Sequence, residues 1–436
     1  MFYGRNIAST RHMNQHIIIV GAGAAGLMAA RELSAAGNTV TILEADNRIG
    51  GRMQTLTETG FSKPIEAGAE FIHGKLPLTL QLLDEAGIHY QSIEGSMLRI
   101  QNGKWSTQEE FTVGWDELME HLEQLQTDMT VDAFLQQHFS DEKYAELRNS
   151  VKRFAEGFDL ADTSNASILA LREEWSHEQD EQFRIPGGYI QLVDYLHKQC
   201  VSNGCTFHTS CIVKEINWQQ NKVSIVTADQ KTFTANKIIV TVPLGILKAD
   251  SSYKTAITFY PAIEEYKAAM NNIGFGSVIK VMIEFTDRFW TEQQKNIGFI
   301  LSTEKIPTWW TQEPSDYALL TGWLGGPQTL TLQQLSEPAI LHMALQSLSS
   351  IFSIDIQKLQ GQIIAAQVAN WNKHEFASGA YSYSMLGTST ARLLLNKPID
   401  NTLYFAGEAL YDGEASGTVE AALVSGRDAS NKVLGK

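Results

Sequence analysis

Residues 16–44 constrain this chain more than any other stretch. His16-Ile-Ile-Ile-Val20 is an apolar run rich in β-branched residues, as expected of a strand buried on both faces. Gly21-Ala-Gly-Ala-Ala-Gly26 follows at once, then good helix formers from Leu27 to Ala36, stopped by Gly37. Thr39-Val-Thr-Ile-Leu43 is a second strand, and it ends on Glu44. Each part has a physical job. Gly21 permits a tight turn, Gly23 lets a pyrophosphate approach the backbone, and Gly26 allows the helix to pack closely on the strand. The helix N-terminus, at Ala24 and Ala25, offers free N–H groups and a partial positive charge to phosphates. Glu44 stands where a carboxylate accepts hydrogen bonds from a ribose. The unit is that of a dinucleotide-binding α/β domain. By itself it does not choose between a nicotinamide and a flavin dinucleotide.

At 436 residues the chain is long enough for two or more cores. Its net charge of −15, from 34 basic and 49 acidic residues, argues against a nucleic-acid partner and is compatible with a cationic substrate. No run approaches the roughly 18 consecutive apolar residues of a membrane helix, so no membrane anchor is expected. The N-terminal residues, with Arg5, Arg11 and His12 and no apolar core, do not read as a secretory signal, and Met13 is an alternative start. The cysteines are Cys200, Cys205 and Cys211, an odd, low count without metal-ligand spacing. They are expected to be buried, inert thiols in a reducing, cytoplasmic setting, with no disulfide and no metal.

Further along, Leu78 to Ala86 and Trp115 to Gln126 show helical apolar spacing within a polar region that runs to about Asp180. Glu173, Glu174 and Glu178 are expected on a solvated helix face. Ile185-Pro-Gly-Gly-Tyr189 opens a helix from Ile190 to Gln199, and Cys205 to Ile216 and Lys222 to Ala228 alternate as strands. Ile238 to Leu247 is a buried strand running into a proline turn. Gly274-Phe-Gly-Ser-Val-Ile-Lys-Val-Met-Ile-Glu-Phe285 is a turn into another strand. Alternation puts Ile279, Val281, Ile283 and Phe285 on one face and Val278, Lys280, Met282 and Glu284 on the other. On pattern alone Lys280 is a solvent-face lysine.

Several segments resemble the flavin amine oxidase family, which includes monoamine oxidases, polyamine oxidases and histone-lysine demethylases. Glu44-Ala-Asp-Asn-Arg-Ile-Gly-Gly-Arg52 is similar to the family's glycine–glycine–arginine stretch. The likeness implies Glu44, Ala45, Arg48, Gly51 and Arg52 around the cofactor, with Arg52 a planar, always charged partner for pyrophosphate. Glu66-Ala-Gly-Ala-Glu-Phe-Ile-His-Gly74 resembles the next signature, placing Gly68, Ala69, Glu70 and Phe71 along the flavin and His73 near the substrate channel. Val213 matches the position whose backbone meets adenine. Lys280 follows a glycine–aromatic–glycine turn and precedes Asp287-Arg-Phe-Trp290, like the family lysine that holds a water beside the flavin. Trp371 to Tyr383 is similar to the segment past the ring, which implies Trp371 and Tyr381 beside it and Phe376 in the cavity. The closing residues 403–427 imply Gly407, Glu408, Gly417, Thr418 and Val419 at the flavin, with a helix N-terminus at its N1–O2 edge. Ala380 stands where monoamine oxidases have the cysteine that holds flavin covalently, so noncovalent FAD is expected. Thr418 stands where they have a second tyrosine, so the aromatic cage is incomplete and a wider channel is left open.

The resemblance implies an FAD-binding Rossmann-type domain in three segments (14–75, 185–262, 390–436). Between them lie a mostly helical substrate segment (76–184) and a mixed-sheet substrate segment (263–389), an inserted α+β domain. Lys280, Tyr381 and His73 are the expected catalytic residues. The implied reaction oxidises the C–H bond beside a primary or secondary amine, with O2 reduced to H2O2, in a monomer or homodimer. The rivals are an L-amino-acid oxidase, which needs a cavity arginine such as Arg153, Arg172 or Arg184, a C–C desaturase, and a non-catalytic flavoprotein.

Overall fold

The computed structural model describes residues 14–57, 59–101, 103–107, 114–176 and 181–436. Arg5, Arg11, His12, Met13 and Glu178 lie outside the described residues. Two sheets organise the molecule. The first has five strands in the spatial order Thr206–His208, Thr39–Leu43, His16–Val20, Lys237–Val240 and Leu403–Phe405. All of them pair in parallel. Such a sheet must be covered on both faces, and Ile17, Ile18 and Ile19 are fully buried. On one face the Ala24–Ala35 helix packs against the closing helix, Val419–Leu434. Small residues make the approach possible: a Cβ on Gly426 would stand 2.2 Å from the Ala25 carbonyl oxygen, and one on Gly26 would stand 2.0 Å from that of Gly21.

The second sheet has seven strands in the order Ile363–Asn370, Val278–Phe285, Leu319–Gly325, Thr308–Trp310, Ile297–Leu301, Ser96–Gln101 and Lys104–Thr107. Its last two strands come from the region expected to be helical, so that region also contributes sheet. Helices Trp115–Gln124, Val131–His138, Ala145–Gly157 and Ile168–Ser176 form a separate apolar core beside it.

Two strand expectations are corrected. Cys205 to Ile216 is not one strand: Thr206–His208 edges the parallel sheet, and Val213–Gln219 begins in a different, four-stranded sheet. Ser210, at φ 52°, lies in the turn between them. The Val278–Phe285 strand does not have a solvent face. It is hydrogen-bonded on both sides, and all eight of its residues are buried. Lys280 is 1% exposed. Cys200, Cys205 and Cys211 are free and buried. Among the described residues no helix is long and apolar enough to cross a membrane, and no cluster of three or more potential metal ligands occurs.

Candidate active site

One continuous cavity of about 1050 Å³ is lined by residues of both sheets. That is at the upper end of the roughly 300–1,000 Å³ usual for ligand pockets, which leaves room for a cofactor and a substrate together. Val213, Gly21, Gly23, Ala24, Ala25, Glu44, Ala45, Arg48, Gly51 and Arg52 are among its lining residues. Glu44 is held by two backbone donors, Ala22 N–H at 2.6 Å and Asp46 N–H at 2.8 Å. Burial raises its pKa despite these bonds. Arg48 pairs with Asp46 at 3.3 Å and donates to the Gly51 carbonyl at 2.7 Å.

Gly26 does not line the cavity; it sets the contact between helix and strand described above. The Ala24–Ala35 helix starts at Gly23 without a side-chain cap. Its first-turn N–H groups therefore remain available for an anion. The closing helix starts at Thr418, whose hydroxyl accepts from Ala421 N–H at 3.2 Å and donates to the Ala415 carbonyl at 2.6 Å. Thr418 lines the cavity as a helix cap. Gly417 and Val419 line it beside Thr418, as does Gly407, where an added Cβ would meet nothing within 4 Å. Open glycine cradles, an uncapped helix start and a cavity of this volume fit an anionic dinucleotide.

Arg52 and Glu408 do not stand apart as separate binding groups. Arg52 donates to Glu408 at 2.8 Å and to the Ala380 carbonyl at 2.6 Å, while the other Glu408 oxygen accepts from the Ser382 hydroxyl at 2.6 Å. A carboxylate 4% exposed is thus neutralised by a planar fork across a separation of more than 300 residues in sequence.

Gly68, Ala69, Glu70, Phe71, His73, Lys280, Trp371, Phe376 and Tyr381 line the same cavity. Lys280 Nζ donates to Glu70 at 2.7 Å and to the Gly68 carbonyl at 3.2 Å. Glu70 is also reached by Arg184 at 3.0 Å, Trp310 Nε1 at 3.1 Å and Gln312 at 3.3 Å. Desolvation works against ionisation of Glu70, but Lys280 and Arg184 outweigh it and hold the carboxyl down to about 2. Trp371 donates to the Ala67 carbonyl at 2.9 Å and stacks on His374, with centroids 4.9 Å apart. The Tyr381 hydroxyl donates to the Phe158 carbonyl. His73 packs edge-on against Phe71 and Phe158, and its buried Nδ1 has no hydrogen-bond partner among the described residues. Desolvation lowers its pKa to about 4, so the ring is neutral at pH 7. Phe376 sits beside His374, which feels the charges of Arg48 and Asp46, so it borders the arginine loop.

Sequence reasoning missed several residues. Trp323 stands opposite Lys280 on the adjacent strand, Trp310 comes from the next strand beyond it and reaches the Lys280 amine, and both line the cavity. Asp159, 8% exposed, accepts from Trp175 Nε1 at 3.0 Å. Glu173 is exposed, but Glu174 is not on a solvated face: it is half-buried and lines the cavity. Burial pushes its carboxyl up to about 7, against the pull of Arg392. Asp159, Glu174 and Glu408 all act on the Tyr381 phenol, which burial and these charges raise well above its usual range. Of the three arginines considered for a carboxylate substrate, Arg184 is engaged by Glu70, Arg172 donates to the Leu122 carbonyl at 3.2 Å, and Arg153 lines the cavity.

The sequence profile described as flavin containing amine oxidoreductase matches residues 24–434. Polyamine oxidase 2 of Arabidopsis thaliana is 26% identical, over 96% of this chain and 88% of that protein. Human lysine-specific histone demethylase 2 is 25% identical over 96% of this chain, which spans 53% of that protein. A structure of putrescine oxidase bound to putrescine superposes with a TM-score of 0.81 at 19% identity, covering 97% of this chain and 100% of that one. Cyclohexylamine oxidase from Brevibacterium oxydans superposes at 0.78 and 21% identity, covering 96% and 98%. The two structures share the fold. The chain belongs to the flavin containing amine oxidoreductase family and is an oxidoreductase of CH–NH and CH–NH2 groups.

Proposed function

We propose that this flavin amine oxidoreductase binds FAD noncovalently and oxidises aliphatic di- or polyamines. The observation that carries this reading is one cavity that joins a dinucleotide cradle to an aromatic and carboxylate-lined chamber. Support for FAD comes from the strand–glycine–helix unit, the Glu44 position and the cavity's volume. Support for noncovalent binding comes from Ala380, which supplies no thiol; the cysteine that does line the cavity, Cys211, lies two residues from Val213 on the nucleotide side. Support for a substrate with a second cationic group comes from Glu174 and Asp159 beside Tyr381, and from relatives named polyamine oxidase. Buried free thiols are in keeping with a reducing, cytoplasmic setting.

When bound, the flavin supplies the two-electron acceptor. The protein's own groups do the rest. Trp371 and Tyr381 offer aromatic faces that attract an ammonium and then favour its neutral form, which carries the lone pair the oxidation needs. Neutral His73 turns an unpaired nitrogen to the amine and orients it. Lys280, tied to Glu70 and Gly68, sets a fixed donor at the cavity wall that can hold a water. Glu174 and Asp159 take the distal ammonium. In net terms a primary amine, O2 and water give an aldehyde, ammonia and H2O2; a secondary amine releases the smaller amine instead.

The test is an absorbance spectrum of the purified protein, followed by anaerobic mixing with spermine, N-acetylspermine, putrescine, tyramine, benzylamine and L-amino acids. Bleaching of the flavin band by the aliphatic polyamines or diamines ahead of the others is expected. Acid precipitation should leave the yellow colour in the supernatant. Bleaching by amino acids alone would move the reading to an L-amino-acid oxidase.

A further inference from the structure

We propose that Glu70 is a positioning residue that fixes Lys280 as a permanent cation at the cavity wall, so that Lys280 donates hydrogen bonds and does not accept the substrate's proton. The inference rests on the amine-oxidase reading of this cavity. The geometry is that of a buried three-charge cluster built from four elements. Glu70 precedes the Phe71–His73 strand, Arg184 ends Gln182–Arg184, Trp310 ends Thr308–Trp310 and Lys280 lies in Val278–Phe285. Glu70, Arg184 and Lys280 are 8%, 7% and 1% exposed. A carboxylate so buried is tolerable only with its lone pairs filled. Here one oxygen takes Lys280 at 2.7 Å, and the other takes Arg184, Trp310 and Gln312 at 3.0, 3.1 and 3.3 Å.

The arrangement is asymmetric in a useful way. Arg184 cannot give up its proton, so it keeps Glu70 ionised whatever Lys280 does. Ionised Glu70 in turn keeps the Lys280 proton in place. Two of the three N–H bonds of the ammonium are used, by Glu70 and by the Gly68 carbonyl. The amine also lies over the Trp310 ring, 5.4 Å from its centroid. A lysine without this carboxylate would be a desolvated cation beside Arg184, and both effects drive it to the neutral form.

Among the described residues, two further carboxylates come near Lys280. Glu66, in the same segment as Glu70, feels the charge of Lys280 and, more weakly, that of Glu70. Glu284, on its own strand, is held by Ser62 and Tyr317. The residues directly opposite on the two neighbouring strands, Trp323 and Ala369, carry no charge.

The experiment is a pH titration, from pH 6 to 9, of the visible absorbance of the flavin-loaded protein, with kcat/KM for the best amine over the same range. Glu70→Gln keeps the side-chain shape and removes the charge, and should bring in an inflection that wild type lacks over this range. That inflection should vanish in Glu70→Gln/Lys280→Met; Glu66, which titrates at about 7 in the field of both groups, is removed from the comparison by repeating the series on a Glu66→Gln background. The inflection should be absent in Arg184→Met, which leaves the Glu70–Lys280 pair intact. If Gln is not tolerated, Glu70→Asp, with the charge drawn back one methylene, should move the lysine part-way. A folded Gln or Asp variant that titrates as wild type overturns the proposal, and so does a new inflection that survives loss of Lys280. An inactive, colourless wild type would instead overturn the functional reading beneath it.

Discussion

Glu174→Gln tests the substrate end of the cavity. Glu174 lines the chamber and acts on Tyr381, so a carboxylate here can meet an ammonium several atoms beyond the reacting carbon. A hydrogen bond to a charged partner contributes about 1.5–3 kcal/mol. At 1.36 kcal/mol per factor of ten, Gln should lower kcat/KM for putrescine roughly 10- to 150-fold. Butylamine, with the same carbon chain and one amine, should change little. The pH dependence adds a second axis. Burial puts the Glu174 carboxyl at about 7, above its ordinary value. A raised acid is neutral below that pH and charged above it, so its pull on a distal ammonium grows as pH rises through 7. The ratio of putrescine to butylamine kcat/KM cancels ionisation at the reacting amine. That ratio should climb between pH 6 and 8 in wild type and stay flat in Glu174→Gln. The assay is peroxide release at several substrate concentrations. Equal ratios in the two proteins across the range would refute the assignment of Glu174 to the substrate.

Three other substitutions probe the remaining parts. Lys280→Met should slow flavin reduction or reoxidation in stopped flow while leaving the cofactor bound. Because Arg184 still covers Glu70, the stability loss should stay below the roughly 3–5 kcal/mol typical of a broken buried pair; wild-type rates in both half-reactions would sink the role. Gly26→Ala puts a Cβ 2.0 Å from the Gly21 carbonyl oxygen and 2.9 Å from the Thr241 hydroxyl. It should cost about 1–3 kcal/mol or more by forcing helix from strand, and should lower flavin content, read together from a melt and the visible spectrum. His73→Gln should weaken amine affinity without moving the acid limb of the pH profile, since burial holds the His73 pKa at about 4; an acid limb that shifts with this change would show that His73 titrates in turnover.

The nucleotide half was legible because its signals are local. A β-branched run, a glycine turn and a helix of small residues lie together in sequence, and each has its own period. The lysine strand was not, because its exposure is set by what pairs with it. Alternation implies one solvent face, but strands Leu319–Gly325 and Ile363–Asn370 flank it and both of its faces are covered. Glu174 failed in the same way. On one helix it looks like Glu173, and only packing of the helical insert turns one into the cavity and leaves the other in water. The strands Ser96–Gln101 and Lys104–Thr107 were within reach, because Asn102-Gly103 between two short runs is a hairpin signature. Arg52 and Glu408 were each placed at the cofactor, but their mutual bond joins distant segments and no spacing announces it.

Two carboxylates in this cavity are pushed in opposite directions, and the difference assigns their work. Glu70 and Glu174 are both desolvated, so both begin with a penalty on charge. Glu70 has two cations in contact and falls to about 2; Glu174, among the described residues, has the field of Arg392 and rises to about 7. A carboxylate at about 2 is a constant over any working pH and can serve only to hold something, here Lys280. A carboxylate at about 7 can lose or gain its charge as a ligand arrives. The missing partner that would bring Glu174 back to an ordinary carboxylate value is a cation, and a distal ammonium supplies one. The same logic predicts that an inert α,ω-diammonium ligand, compared with its monoammonium analogue, should bind with release of protons from wild type near pH 7. Glu174→Gln should abolish that difference, which calorimetry in buffers of different ionisation enthalpy measures directly. Equal proton release for the two ligands in wild type would remove Glu174 from the binding site and leave Asp159 as the carboxylate to test.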